Sequence, residues 1–393
     1  MAKLPPAEWT RREDLAELVA ALGAEHMRWV GGAVRDTKLG MGVKDIDAAT
    51  THQPEEVVRR LKAARIRSVP TGLQHGTVTA VCEHGPVEIT TLRKDVSTDG
   101  RRAEVEFSSD WREDAARRDF TINALYAHPV TLEISDYFGG LDDLDAGRVR
   151  FIGDARERIR EDHLRILRYY RFQARFGSTL DEDGEQACAD LAPTLKGLSR
   201  ERVGWELQNL LGLPDPVDTV RRMHARGVLP VVLPEVDTAG LDAFATLVAA
   251  EAAAGVPPCA IRRLAALLPA EPKVAETLAS RLRMSNAIRR RLATAAGRDK
   301  NPDLANPQAL AYRLGRESAV DLLLLTGRDP AALDGWEVPV LPLKGGEIVA
   351  RGVAAGPEVA RILQAVEARW IDEGFPDAGR VAQLLDDALA GQN

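Results

Sequence analysis

Three cysteines are all this 393-residue chain contains, Cys82, Cys188 and Cys259, and they lie far apart. That spacing excludes a CxxC motif and a secreted disulfide framework, and it fits a reducing cytoplasm. No run of eighteen apolar residues occurs, so a membrane-spanning helix is excluded. The opening MAKLPPAEWTRREDL lacks an apolar stretch of signal-peptide length. Histidine is sparse: of seven, only His224 lies beyond residue 163, which leaves no material for a histidine-rich metal site in the C-terminal half. There is no repeat at a fixed period and no low-complexity tract. Nor is there a strong charge of one sign. Fifty-two Lys and Arg stand against 59 Asp and Glu, a formal net charge of −7. Such a balance argues against a histone-like nucleic-acid coat but is compatible with a local basic groove.

What is present is ordinary globular material, 45% hydrophobic and 28% charged, in a length that suits two or three domains. Up to residue 154 the pattern is mixed α/β. It predicts helices over 11–26, 33–39, 54–64 and 113–127, and strands at Trp29-Val30 and over 45–49, 66–69, 77–82 and 87–92. His84-Gly85 reads as a hairpin turn, and 93–104 reads as a polar loop carrying the turn pair Asp99-Gly100. Beyond 154 the strands stop. Residues 156–176 predict one amphipathic helix, with Ile159, His163, Ile166, Leu167, Tyr170 and Ala174 at spacings of three and four. The expected organisation is an α/β head over 1–154, then a helical neck over 155–211, a helical body over 212–275 and a helical tail over 276–393.

The sharpest local signal is Gly31-Gly32 followed by Lys44-Asp45-Ile46-Asp47. On a strand Asp45 and Asp47 share a face, where two carboxylates repel unless a cation lies between them. An oxygen-preferring divalent ion, Mg²⁺ or Mn²⁺, is the natural partner. Paired glycines at a strand-to-helix turn let backbone N–H groups approach an anion such as a triphosphate. Glu88, alternating with Val87 and Ile89 on a strand, offers a third carboxylate, as two-metal phosphoryl transfer requires. A solvated strand edge and a tight turn would account for the same residues separately. Downstream, Arg117 and Arg118 suit phosphates. Asp119 and Asn123, four apart on a helix, suit a ribose. A charged helix surface is the plainer alternative.

Asp162 and Arg165 stand three apart on the neck helix. Cytosine and adenine each present an amine donor beside a ring-nitrogen acceptor, so one carboxylate and one guanidinium satisfy both bases and fail with uracil and guanine. Alternatively the two form a surface salt bridge. The same helix carries seven arginines against three acids. These arginines, Arg175 among them, and the run Arg289-Arg290-Arg291 could track an RNA backbone; acids nearby could equally balance them.

Taken together, these segments resemble the class II tRNA nucleotidyltransferase and bacterial poly(A) polymerase family. The resemblance runs in order through Gly31-Gly32-Ala33-Val34-Arg35-Asp36, Lys44-Asp45-Ile46-Asp47, Glu88 in EITTLR, Asp99-Gly100-Arg101-Arg102 and Arg117-Arg118-Asp119-Phe120-Thr121-Ile122-Asn123-Ala124. It continues through Phe138-Gly139-Gly140, Arg160-Glu161-Asp162-His163-Leu164-Arg165-Ile166-Leu167-Arg168, and Glu201-Arg202 with Glu206. Residues 212–393 carry no matching motif. The resemblance implies a polymerase-β-like head and addition of C, C and A to tRNA 3′ ends from CTP and ATP. Narrower sister activities, A-adding, CC-adding or poly(A) synthesis, share the head. It implies that Asp45 and Asp47 hold Mg²⁺ (or Mn²⁺), with Glu88 the third carboxylate. Nucleotide binding is assigned to Gly31, Gly32, Arg35, Arg118, Asp119, Asn123 and Arg168, with Asp162 and Arg165 reading the base. The 93–106 segment resembles the family's flexible loop. RNA contacts are expected at Arg175, Arg289, Arg290 and Arg291, with tRNA as partner and no membrane. No His-Asp constellation follows the neck, so no phosphohydrolase activity is expected.

Overall fold

The computed structural model describes residues 2–73, 76–99 and 102–390, with backbone alone at 95–99 and 102–105. It divides into two compact units, Met1–Pro234 and Glu235–Asn393. The division falls inside the segment expected to form one helical body.

The first unit is built on a seven-stranded sheet. Its strands are β1 (Met27–Val30), β2 (Ile46–Thr50), β3 (Arg67–Gly72), β4 (Thr77–Cys82), β5 (Gly85–Thr91), β8 (Leu125–Ala127) and β9 (Ile134–Asp136), in the order β3-β4-β5-β2-β1-β8-β9. Between β5 and β8 in the chain, β6 (Arg93–Asp99) and β7 (Arg102–Phe107) form a separate hairpin. Only β2 and β5 run parallel; the other sheet neighbours are antiparallel. Around the sheet lie α1 (Glu13–Leu22), α2 (Gly32–Lys38), α3 (Pro54–Ala63), α4 (Trp111–Ala116) and α5 (Gly140–Asp145). Local chemistry fixes these ends. Helix α3 opens on Pro54, with Glu55 and Glu56 in its first turn, and buries Val57 and Leu61. Asp110 caps α4 by accepting from Arg112 N at 2.7 Å. Gly140 opens α5 so close to the Thr121 carbonyl that a β-carbon there would clash with backbone.

The helices α6 (Ala155–Glu161), α7 (Arg165–Phe176), α8 (Glu182–Leu191), α9 (Arg200–Leu211), α10 (Val217–Ala225) and α11 (Leu229–Val232) complete this unit. The second unit holds only helices among its described residues: α12 (Thr238–Ala253), α13 (Ala260–Leu267), α14 (Pro272–Arg281), α15 (Asn286–Ala296), α16 (Pro307–Leu314), α17 (Arg316–Leu325), α18 (Gly345–Ala350), α19 (Pro357–Asp372) and α20 (Ala378–Ala390), with short 3₁₀ turns. Trp370 anchors one of its apolar clusters with Ile348, Val366 and Leu384. Among the described residues no helix is long and apolar enough to cross a membrane.

Four expectations are corrected. The helix expected over 113–127 ends at Ala116; Thr121–Asn123 is a 3₁₀ turn, and Leu125–Ala127 is a strand within the sheet. Phe120, Ile122, Leu125 and Tyr126 are all at most 1% exposed. A segment buried on every side fits the sheet interior and has no solvent face for an amphipathic helix. The single helix over 156–176 is two, broken at Asp162, whose backbone is extended (φ −147°, ψ 103°). Its carboxylate accepts from Leu164 N at 3.1 Å, a local bond that competes with helix continuation. The loop over 93–104 is the β6–β7 hairpin, with Lys94 and Glu106 paired across it at 3.1 Å. Gly100 and Arg101, within the expected turn and motif, lie outside the described residues. Finally, Asp45 precedes β2, which starts at Ile46.

Candidate active site

Strand β1 leaves the sheet at Val30 and turns into α2 through Gly31, at φ 65° and ψ −127°, a conformation that glycine alone adopts freely. A β-carbon on Gly31 would stand 3.7 Å from Arg118 Nη1 and 4.0 Å from Asp47 Oδ2. The turn therefore presents backbone to one guanidinium and one carboxylate. Asp47 pairs in register with Glu88 across the parallel β2–β5 ladder. This register brings together two residues 41 positions apart that the sequence could place only on separate strands. Burial first, and then the charge of Glu88, push the Asp47 carboxyl up to about 6; Asp45 adds to this and Arg118 opposes it. A carboxylate held in that way has an unmet demand for positive charge. Among the described residues no group of three or more Asp, Glu, His or Cys is placed to hold a metal ion unaided. The fit is therefore to an ion that takes one or two carboxylates and fills its shell with phosphate and water oxygens, the habit of Mg²⁺.

Arg118 is fixed from behind. Its Nε donates to Tyr126 Oη at 2.8 Å, and its guanidinium lies 5.1 Å from the Tyr126 ring centre. The phenol in turn donates to Asp114 Oδ2 at 2.6 Å, and Asp114, 1% exposed, also takes Arg117. Neither Tyr126 nor Asp114 was suggested by the sequence. Tyr126 reaches the site only because Leu125–Ala127 is a strand.

A cavity of about 400 Å³ opens beside this cluster. Gly31, Lys44, Asp45, Asp47 and Arg118 line it, together with Arg168, Arg171, Phe172 and Arg175 of α7. Its wall is a continuous polar chain. Arg175 Nη2 donates to Asp36 at 3.0 Å, and Arg35 donates to Asp36 at 2.8 Å and to Asn123 Oδ1 at 2.5 Å. Asn123 Nδ2 donates to Asp119 at 3.0 Å, and Arg168 grips the other Asp119 oxygen through Nε at 2.7 Å and Nη2 at 2.5 Å. Burial alone would raise the Asp119 pKa. The charge of Arg168 and the hydrogen bonds from Asn123 and Arg168 outweigh it and hold the group at about 2. Arg35 is 4% exposed, its guanidinium packed over Phe172 and Phe176, so it braces the wall.

Asp162 and Arg165 do not form a salt bridge with each other. The bond that joins them is a backbone one, Arg165 N to Asp162 O at 2.9 Å. Asp162 pairs with Arg202 of α9 at 2.7 Å. Arg165 donates to Glu161 at 2.5 Å, to Arg158 O at 2.9 Å and to Arg117 O at 3.0 Å, which ties it to the residue before Arg118. The expected RNA-binding arginines separate. Arg175 lines the cavity and is paired with Asp36, and half-buried Arg291 is paired with Asp321 at 2.6 Å and with Glu317 at 2.7 Å. Arg289 and Arg290 are exposed on α15.

Comparison with known proteins gives the family of the chain. Residues 27–150 match the family model described as the poly A polymerase head domain, and 177–239 match a probable RNA and SrmB-binding site of polymerase A. A mitochondrial CCA tRNA nucleotidyltransferase 1 of Mus musculus is 34% identical over 385 residues, spanning 92% of this chain and 86% of that protein. A CCA-adding enzyme of Leuconostoc mesenteroides is 46% identical over 186 residues, 47% of this chain and 45% of that one. Among solved structures, the CCA-adding enzyme of Bacillus stearothermophilus in complex with CTP superposes with a TM-score of 0.74 at 25% identity, over 97% of this chain and 99% of that chain. The chain belongs to the CCA-adding tRNA nucleotidyltransferase family, within the class II nucleotidyltransferases that include the bacterial poly(A) polymerases.

Proposed function

We propose that this chain is a template-independent RNA nucleotidyltransferase that adds C, C and A to tRNA 3′ ends from CTP and ATP, releasing pyrophosphate. One observation carries the reading: Asp47, in register with Glu88, lines a single cavity together with Asp45, Arg118, the Gly31 turn and the arginines of α7.

Asp45 and Asp47 would hold Mg²⁺, or Mn²⁺ in its place; the ion, when bound, supplies Lewis-acid activation of the attacking hydroxyl and neutralisation of the leaving pyrophosphate. Glu88 sets the negative field beside Asp47 that favours it. Gly31-Gly32 lets backbone N–H groups approach the triphosphate, and Arg118, held by Tyr126 and Asp114, places a fixed positive charge against it. Asp119 and Asn123 offer short polar groups to the ribose. To read the base, Asp162 would exchange Arg202 for the amine of cytosine or adenine, and Arg165 would release Glu161 or a backbone carbonyl to donate to the adjacent ring nitrogen. Uracil and guanine present the opposite pattern at both points.

The test is incorporation on three acceptors: tRNA lacking CCA, ending in one C, and ending in CC. CTP and ATP are supplied separately and together. Two C additions followed by one A are expected. Addition of A alone, of C alone, or of long A tracts would replace this reading with one of the narrower sister activities.

A further inference from the structure

Trp205 is the single exposed aromatic side chain among the described residues, at 58%; every other Trp, Tyr and Phe is buried or half-buried. Tryptophan is highly buried on average and is enriched where a protein surface meets a partner. Its position is informative. On α9 it follows Arg202 by three residues, and Arg202 is the ion-pair partner of Asp162. On its other side Arg171, which lines the 400 Å³ cavity, sits with its guanidinium 5.8 Å from the Trp205 ring centre. Arg171 is itself clamped by buried Glu206 at 2.6 Å. Trp205 thus packs against an arginine that lines the cavity, on the helix whose Arg202 holds Asp162, with its ring open to solvent.

We infer that Trp205 is a stacking platform for the unpaired 3′-terminal bases of the acceptor RNA. The inference rests on the proposed activity. In that reaction the terminal 3′-hydroxyl must reach the phosphorus beside Asp45 and Asp47, so the last nucleotides of the acceptor lie next to the incoming base. The terminal base also differs between steps, being the nucleotide preceding CCA at the first and C at the next two. A hydrogen-bonding reader suited to one of these would reject another. An aromatic face accepts all of them, because every base has a π surface. Arg171 adds a cation beside the stack and toward the phosphodiester.

The experiment uses the full chain with Trp205→Ala and Trp205→Phe, on the three acceptors above. A parallel set carries an abasic residue at the 3′-terminal nucleotide, the one whose hydroxyl reacts. Loss of one stacked base is expected to raise the KM for tRNA on the order of tenfold in Trp205→Ala, on all three acceptors, with the KM for CTP and ATP held. Trp205→Phe should recover most of the loss. In wild type the abasic acceptor should suffer the same penalty, and in Trp205→Ala it should suffer none further. An unchanged KM for tRNA, a rise confined to the nucleotides, or penalties that add would overturn the inference. Failure of the wild-type protein to extend any acceptor would instead overturn the proposed activity.

Discussion

Removing one oxygen from Tyr126 isolates the bracing of Arg118 from the chemistry it serves. Tyr126→Phe keeps the buried ring and its contact with the guanidinium but deletes the bond to Asp114 at 2.6 Å and the bond from Arg118 at 2.8 Å. Burial holds the phenol well above its ordinary pKa, so in the folded protein it remains a donor to Asp114. Asp114 keeps Arg117 at 2.8 Å and Arg118 Nη2 at 3.3 Å, so its charge is not stranded. Two hydrogen bonds to charged groups are lost, and the one from Arg118, the share that orients the guanidinium, is worth about 2 kcal/mol. If the same orientation energy is used in the transition state, kcat/KM falls by about tenfold to a hundredfold, equally for CTP and ATP. Single-nucleotide kinetics on the C-accepting and A-accepting tRNAs, with thermal melts alongside, measure both terms. A cycle with Arg118→Ala completes the test, because Tyr126→Phe should have no further effect on rate once the guanidinium is gone. Wild-type rates in Tyr126→Phe, or additive losses in the double variant, would show that the phenol is only a core hydrogen bond.

Asp47→Asn should abolish addition of both nucleotides while raising the Tm in metal-free buffer, because the ionised carboxylate is disfavoured in the folded state at neutral pH, a penalty that grows as pH rises from about 4 through about 6. A rise of a few degrees is expected for relief of about 1–3 kcal/mol, and a lower Tm would refute the repulsion argument. Asp119, depressed to about 2, stabilises the fold at pH values above its ordinary pKa of 3.8, and that stability is lost as pH falls through about 2. Asp119→Asn should cost on the order of 2 kcal/mol at pH 7 and flatten the acid limb of the stability curve; parallel curves for the two proteins would contradict it. Exposed Arg289 and Arg290 contrast with paired Arg291. Replacing the first two with Ala should weaken tRNA binding and reduce its logarithmic salt slope by about one per residue, whereas Arg291→Ala should lower the Tm. Equal salt slopes would place the RNA track elsewhere.

The sequence by itself determined the classes of element and most of the chemistry. Alternation of branched residues marks β4 and β5, Pro54 marks the start of α3, and the order of short motifs carries the family. These are local signals, readable because hydrophobic period and cap residues act within one element. Register and burial were decided only in three dimensions. Asp47 and Glu88 become neighbours through a parallel ladder, which no local pattern encodes. Asp119 and Asn123 have helical spacing, yet the sheet interior takes Leu125–Ala127 as a strand, and that choice delivers Tyr126 to Arg118. The break at Asp162 separates two residues expected on one helix and gives each its own partner, Arg202 for the carboxylate and Glu161 for Arg165. Among the arginines, composition could count them, but only packing decides which face acids within their own unit and which face water. An ion pair between α15 and α17 takes Arg291 out of contention while leaving Arg289 and Arg290 exposed, because successive residues on a helix point in different directions.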